Sequence, residues 1–173
     1  MRLRDLYKEF IRLHMSKKDR LVSAIVPDKG LYGEDKENAM KYDWYTDGFS
    51  IWSVPKKENP FKVEQKENGT PITIVADWIY RDNTTEVIKR TADPEIGSKI
   101  IKLVDRDGDF MYLDSKKLKF FDNNAELRII KAREANNGYY TTCQVVEDDE
   151  VRGIILGVRV DEKNRFWKTF RFS

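Results

Sequence analysis

The sequence lacks most of the residues from which small secreted domains and metal centres are built. Its 173 residues include one cysteine, Cys143, and one histidine, His14. An intramolecular disulfide, a zinc-thiolate cluster and a His-Glu-x-x-His motif are therefore excluded. No apolar run approaches the ~20 residues that cross a bilayer, and the N-terminus lacks the apolar core of a signal peptide. These absences predict a cytoplasmic protein that does not enter a membrane.

The chain also has almost no net charge. Lys and Arg number 32, Asp and Glu number 30, and the formal net charge is +2. A DNA mimic needs a large acidic excess, and a protein that binds duplex DNA through its phosphates is usually more basic than this. The composition therefore disfavours both classes. The charges are unevenly distributed along the chain, because residues 1–20 hold seven basic and three acidic side chains and residues 151–173 are also basic.

The first segment has the periodicity of an amphipathic helix. Leu3, Leu6, Phe10 and Leu13 follow one another at spacings of three, four and three, which places them on one helical stripe. We predict a helix from residue 2 to about residue 14. Residues 17–26 fit either a capped helix start or a strand that ends before Pro27, and the sequence does not decide between them.

Hairpin signals dominate the chain from residue 47 onward. Four of the nine glycines follow Asp or Asn, in dipeptides that suit two-residue turns: Asp47-Gly48, Asn68-Gly69, Asp107-Gly108 and Asn137-Gly138. Residues 72–80 alternate around Ile72, Ile74, Ala76, Trp78 and Tyr80 and predict a strand, as do residues 100–104 and 110–113 on the two sides of one turn.

The last hairpin can be assigned a register. Ile154, Leu156, Val158 and Val160 alternate with other residues, as do Phe166, Phe170 and Phe172. A three-residue loop, 162–164, brings the two apolar faces together. It pairs Asp161 with Arg165 and sets Arg159 opposite Trp167.

These elements predict one α+β domain spanning residues 1–173. The N-terminal helix packs on a mostly antiparallel, hairpin-rich twisted sheet or partial barrel, because hairpins alone bury too little apolar area to be stable.

Residues that could carry chemistry are few. There is no phosphate-binding loop and no dinucleotide fingerprint. His14 and Cys143 have no visible catalytic partner, so we predict that neither is catalytic. Residues 105–109 resemble part of a calcium loop but fail its spacing, and a hairpin turn explains them. Residues 147–150 read as a solvated acidic loop. We expect no catalytic residues, no metal and no cofactor. These absences favour a protein that is not an enzyme.

One enzyme pattern is a competing hypothesis. Metal-dependent nucleases hold Mg²⁺ with an Asp before a strand and a Glu-x-Lys on the next, where the Lys orients water. Asp47 with Glu64 and Lys66 has that order, and Glu9 could add a third carboxylate. An Asp-Gly turn explains Asp47 equally well.

The leading hypothesis is a non-catalytic binding or regulatory protein that docks a β-surface on a macromolecular partner. A phage or mobile-element inhibitor of a host enzyme that handles nucleic acid would be one such protein. The predicted partner-binding residues are Arg159, Arg165, Trp167 and Arg171, on the outward face of the last hairpin, with residues 115–121 as a second basic-aromatic strand. A protein partner is favoured, single-stranded nucleic acid is the alternative, and Trp167 could instead be buried.

Overall fold

Strands outnumber helices in the part of the chain that the structure describes, and helices lie between them along the chain. The structure is a computed structural model that describes residues 1–15, 23–25, 30–60, 72–92, 99–131, 139–161 and 166–169. Its α-helices are α1 (Leu3–Met15), α2 (Gly33–Met40) and α3 (Ile72–Ile79), and its 3₁₀ helices are η1 (Lys56–Glu58) and η2 (Ser115–Phe120). Its strands are β1 (Ser23–Ile25), β2 (Tyr42–Thr46), β3 (Ser50–Pro55), β4 (Thr84–Ala92), β5 (Ile100–Asp105), β6 (Phe110–Asp114), β7 (Glu126–Ile130), β8 (Thr142–Glu147), β9 (Glu150–Leu156), β10 (Val158–Asp161) and β11 (Phe166–Thr169).

Nine strands form one open antiparallel sheet in the order β1-β2-β3-β9-β8-β7-β4-β5-β6. The pairs β2–β3, β4–β5, β5–β6 and β8–β9 are neighbours in the chain, whereas β3–β9 and β4–β7 join distant segments. β10 and β11 form a separate antiparallel pair. The predicted fold class, an α+β protein with a hairpin-rich antiparallel sheet, is confirmed.

Helix α1 covers one face of the sheet, as its periodicity predicts. Leu6, Phe10 and Leu13 are buried in the larger core cluster. The Phe10 ring lies 5.3 Å from that of Tyr45 and 5.5 Å from that of Trp52, centroid to centroid. Burial of each such side chain contributes about 1.5–3 kcal/mol, so α1 is held firmly on the sheet.

The other face of the sheet is covered by α2 and α3, two helices that the sequence pattern does not predict. Trp44 and Ile51 project to this side, whereas their chain neighbours Tyr45 and Trp52 belong to the α1 side. Strands covered on both faces are shielded from solvent at successive positions, which explains why every residue of β8 is buried. A buried side chain of the sheet also satisfies the end of α3, where Gln144 Nε2 donates to the carbonyl of Trp78 at 2.6 Å.

Two segments that we predicted as strands are helical. Residues 72–79 form α3, in which Ala76, Trp78 and Ile79 pack in the second core cluster. A short apolar run covered by other elements carries no usable periodicity, so strand and helix cannot be separated by pattern. Residues 115–120 form η2, which starts where Asp114 Oδ1 accepts a hydrogen bond from Lys116 N at 3.0 Å. Such an Asx-type cap favours a turn over continued extension.

Both described Asp-Gly turns are confirmed as hairpin turns, although neither is a two-residue turn. Asp105 N donates to Asp109 O at 2.9 Å, and Gly108 adopts a φ of 82°, as in a type I turn with a glycine bulge. Asn68-Gly69 and Asn137-Gly138 lie outside the described residues. A two-residue turn does join β8 to β9, at Asp148 and Asp149, whose φ angles are 49° and 64°.

The predicted register of the last hairpin is wrong by one residue. Asp161 pairs with Phe166 and Val160 with Trp167, so the loop has four residues, 162–165, and Arg159 lies opposite Lys168. The apolar run 154–160 is also broken into β9 and β10 at Gly157. A Cβ atom there would approach Tyr112 O to 2.6 Å, so the chain crosses β6 too closely for any larger residue. Because alternation restarts after this break, β9 does not fix the register of β10.

Candidate functional site

The residues predicted to bind a partner are only partly placed. Arg159 is exposed on β10. Arg165 and Arg171 lie outside the described residues. Trp167 is described by its backbone alone, which pairs with Val160 rather than with Arg159. The arrangement of Arg159 opposite Trp167, on which the predicted surface depended, is therefore corrected to Arg159 opposite Lys168.

Cys143 is unsuited to be a nucleophile. It lies in β8 with no exposed surface, and burial raises the pKa of its thiol to about 12. A thiol with that pKa carries almost no reactive thiolate at neutral pH. His14 lies in α1, and its side chain is not among those described.

The carboxylate of Asp47 shapes the β2–β3 turn. Its Oδ1 atom accepts hydrogen bonds from Phe49 N and Ser50 N, both at 2.8 Å. Burial raises the pKa of Asp47, and these two backbone bonds oppose the shift. Glu64 and Lys66, its predicted partners in a nuclease, lie outside the described residues. The turn explains Asp47 without a metal.

Three carboxylates meet at the β5–β6 turn, where Asp105, Asp107 and Asp109 place oxygen atoms within 4.8 Å of one another. The Lys131 ammonium group forms close ion pairs with Asp105 and Asp109, and lies 3.7 Å from Asp107. Asp105 is buried, and its Oδ1 accepts the backbone N–H groups of Asp107 and Asp109 at 2.9 and 3.0 Å. The lysine thus already supplies the positive charge that a cation would bring to this cluster.

A second acidic group surrounds a hollow of about 200 Å³ at the β8–β9 turn. Its five carboxylates belong to Asp122, Glu126, Glu147, Asp148 and Asp149. The amino group of Met1 lies 2.9 Å from both Asp122 and Glu147, and Arg81 pairs with Glu126 and Asp149 at 3.3 and 3.0 Å. Most of this acidic charge is therefore balanced by cations of the same chain.

The basic charge lies elsewhere, on a surface formed by α1, η1 and η2, which we call the helical face. Tyr7 Oη donates to Glu58 O of η1 at 3.2 Å. On η2, Lys119 Nζ lies 4.0 Å from the carboxylate of Glu9. Residues 7 and 9 of a helix are separated by about 200° around its axis, so η1 and η2 flank α1 on its two sides.

The helical face carries a clear excess of positive charge. Eight basic side chains belong to it: Arg4, Lys8, Arg12, Lys56, Lys57, Lys116, Lys117 and Lys119. Its three acidic side chains are Asp5, Glu9 and Glu58. The net charge of the face is thus +5, against +2 for the whole chain. Seven of the eight basic side chains are exposed, and the eighth, Lys117, lies with its Nζ 5.3 Å from the centre of the Phe49 ring.

One signal for this face is present in the sequence, the basic excess of residues 1–20. The pattern of residues 115–121 also indicates a basic segment, but predicts a strand. Nothing in the local pattern of Lys56 and Lys57 indicates that they lie beside α1, because that contact is made across 51 residues, by Tyr7 and Glu58.

No helix within the described ranges has both the length and the apolar character to cross a membrane. Comparison of the chain with known protein families, with curated proteins and with solved structures gives no match.

Proposed function

We propose that this is a non-catalytic binding or regulatory protein that docks its helical face on an anionic macromolecule. The observation that carries the proposal is the net charge of +5 on α1, η1 and η2, within a chain whose total is +2. Opposite charges across an interface speed encounter and fix orientation. Segregated charge therefore gives a nearly neutral chain one surface that attracts polyanions.

The packing of α1 also supports this proposal. The exposed positions Arg4, Lys8 and Arg12 alternate along the helix with the buried positions Leu6 and Phe10. A helix anchored in this way presents its charged side chains from a fixed backbone. Less ordering is then needed when a partner binds, and the loss of conformational entropy on association is smaller.

The last hairpin is a second candidate surface. Exposed Arg159 pairs in register with Lys168, which places two basic residues opposite each other on adjacent strands. Single-stranded nucleic acid, the alternative partner, would contact these two charges through its phosphates, since Trp167 pairs with Val160 and alternates with Lys168 along β11.

Retention on immobilised heparin, a polyanion, tests the proposal. The face variant Lys8→Gln/Lys56→Gln and the control variant Lys36→Gln/Lys89→Gln each lose two exposed lysines. Lys36 lies on α2, on the opposite side of the sheet, and Lys89 lies on β4. We expect the face variant to elute at clearly lower salt than the wild type, and the control near the wild type. Equal shifts for the two variants would show that only bulk charge matters, and would refute a docking face.

A further inference from the structure

Two lysines extend the helical face beyond η2, at the open end of the β5–β6 hairpin. Ile100 pairs with Asp114, and Ser115 N donates to Lys99 O at 2.7 Å. Lys99 therefore lies directly across from Ser115, next to Lys116. Both lysine side chains are exposed.

Lys99 and Lys116 are neighbours across this end of the hairpin, and their like charges act on each other. The proximity of Lys116 lowers the pKa of Lys99, and Asp114 opposes the shift. Among the described side chains, Asp114 is the acidic group that acts on Lys99. Two neighbouring ammonium groups with so little compensation repel each other, and an anion bound by both would reduce that repulsion.

This pair is continuous with the helical face. Side chains three residues apart in a 3₁₀ helix lie on the same side, so Lys116 and Lys119 project together from η2. Lys119 lies 4.0 Å from Glu9 of α1, whose carboxylate also binds Arg12. Lys99, Lys116, Lys119 and Arg12 therefore follow one another in a basic row along the edge of the face.

The composition of the face favours phosphates over a protein surface. With Lys99 it holds seven lysines and two arginines. Protein interfaces are depleted in lysine and enriched in arginine and aromatic residues, which carry most hot spots. Lysine binds phosphate well as a point charge, whereas paired carboxylates favour the planar fork of arginine.

The same residues favour a duplex over a single strand. Single-stranded nucleic acid is held largely by stacking on exposed aromatic rings. Among the described side chains of α1, η1 and η2, the rings of Phe10 and Phe120 are buried and that of Tyr7 is half-buried. A duplex offers one phosphate for every ~1.7 Å of its axis, which suits a surface that offers charge without stacking.

We propose that the partner of the helical face is double-stranded nucleic acid, bound through its backbone, and that Lys99 and Lys116 together hold one phosphate group. This inference rests on the proposed function, whose anionic partner it identifies. The near-neutral composition argues against duplex binding for the chain as a whole, but the segregation of charge removes that objection for this face.

Binding is measured by fluorescence anisotropy with a labelled duplex of about 20 base pairs, several times longer than the ~20 Å of α1. A single strand of equal length and polyglutamate serve as competitors. Lys99→Gln/Lys116→Gln is compared with the control Lys36→Gln/Lys89→Gln in a salt series from about 50 to 200 mM. We expect the first variant to lose about five- to tenfold in affinity at the lowest salt, with a salt slope smaller by about one. The control should stay within about twofold of the wild type.

The outcomes separate this inference from the proposed function. An unchanged affinity and salt slope in Lys99→Gln/Lys116→Gln would overturn the phosphate site. Equal competition by polyglutamate, or a preference for the single strand, would overturn the duplex as partner. In each of these cases face-dependent retention on heparin would still support the proposed function. If heparin retention is also independent of the face, both proposals fail. A rise in the Lys99 pKa on duplex binding, followed by NMR of its side chain, would support the site directly.

Discussion

The two ends of the β5–β6 hairpin hold lysines in opposite electrostatic surroundings. At the turn, Lys131 forms ion pairs with Asp105 and Asp109. At the open end, Lys99 faces Lys116, and Asp114 is the described acidic side chain that opposes their repulsion. A lysine matched by the carboxylates of its own chain stabilises the fold, whereas a lysine beside a like charge is available to an external anion. The position of the carboxylates, rather than the number of lysines, thus separates lysines that stabilise the fold from lysines that can bind a partner.

The largest effect that this comparison predicts is on stability, at the turn. Lys131→Met should lower the free energy of unfolding by about 2–4 kcal/mol, because it leaves the carboxylate of Asp105 buried without its counter-ion. Asp105 is 1% exposed. Urea denaturation followed by circular dichroism measures the change.

Lys99→Met is the matched control, because it removes the same charge from the other end of the hairpin. It should leave the urea midpoint of the wild type unchanged or raise it slightly, because it removes a repulsion between like charges. Cys143 offers a second readout, since a thiol with no exposed surface reacts with a maleimide only when β8 opens. Labelling should accelerate in Lys131→Met and not in Lys99→Met. Faster labelling in Lys99→Met than in Lys131→Met would contradict this difference between the two ends of the hairpin.

The sequence pattern predicted the elements that depend on interactions between residues close together in the chain. The stripe of Leu6, Phe10 and Leu13 predicted α1 and its buried face, and the turn chemistry of Asp107-Gly108 predicted the β5–β6 hairpin. Both depend on residues close together in the chain, where helical periodicity and the freedom of glycine to adopt positive φ act directly.

The missed elements depend on tertiary contacts. The apolar run 72–79 becomes a helix because α3 covers the second face of the sheet and ends on Gln144. The register of β10 depends on the break at Gly157, which the close approach of Tyr112 imposes. The helical face itself joins segments more than 50 residues apart, and no sequence window of local length could reveal it. Side-chain placement also decides which lysines are matched by acids, and composition alone cannot show that.

Removal of Glu9, an acid that lies between Arg12 and Lys119 of the basic row, tests the role of the row in binding. Glu9 binds Arg12 and lies 4.0 Å from Lys119, so its carboxylate competes with an external anion for both cations. Glu9→Gln should strengthen binding to heparin and to the duplex by about two- to fivefold. Glu37→Gln, an exposed change on α2 with the same loss of charge, should have a smaller effect. Equal gains for the two variants would remove any special role of the row.

The pH dependence of stability should separate Glu9 from an unpaired surface acid. A hydrogen bond from Arg12 lowers the pKa of Glu9 in the folded protein, and burial opposes this. The stabilisation that the Glu9–Arg12 pair contributes is therefore fully present above the pKa of Glu9 in the unfolded chain, about 4.3, and is lost as pH falls through the lower folded value. The exposed pair is worth less than about 1 kcal/mol. Wild type and Glu9→Gln should differ in urea midpoint at pH 7 and converge as the pH falls through the lowered pKa of Glu9, and a constant difference would contradict the assignment.

The smallest predicted effect concerns Asp107, the outer carboxylate of the turn. Its side chain is 64% exposed and its carboxylate lies 3.7 Å from Lys131 Nζ, whereas Asp105 is buried and accepts two backbone N–H groups as well as the lysine. Asp107→Asn keeps the shape of the turn and removes one screened charge, so it should change the free energy of unfolding by less than about 0.5 kcal/mol.

Thermal unfolding with and without millimolar Mg²⁺ tests whether the three aspartates form a cation site. If the three aspartates formed a cation site, Mg²⁺ would raise the melting temperature of the wild type, and Asp107→Asn would reduce that gain. Because Lys131 already supplies a positive charge, we expect Mg²⁺ to leave the melting temperatures of the wild type and of Asp107→Asn unchanged. A Mg²⁺-dependent rise that Asp107→Asn reduces would show that the lysine can be displaced, and that the two ends of the hairpin are less different than their charges indicate.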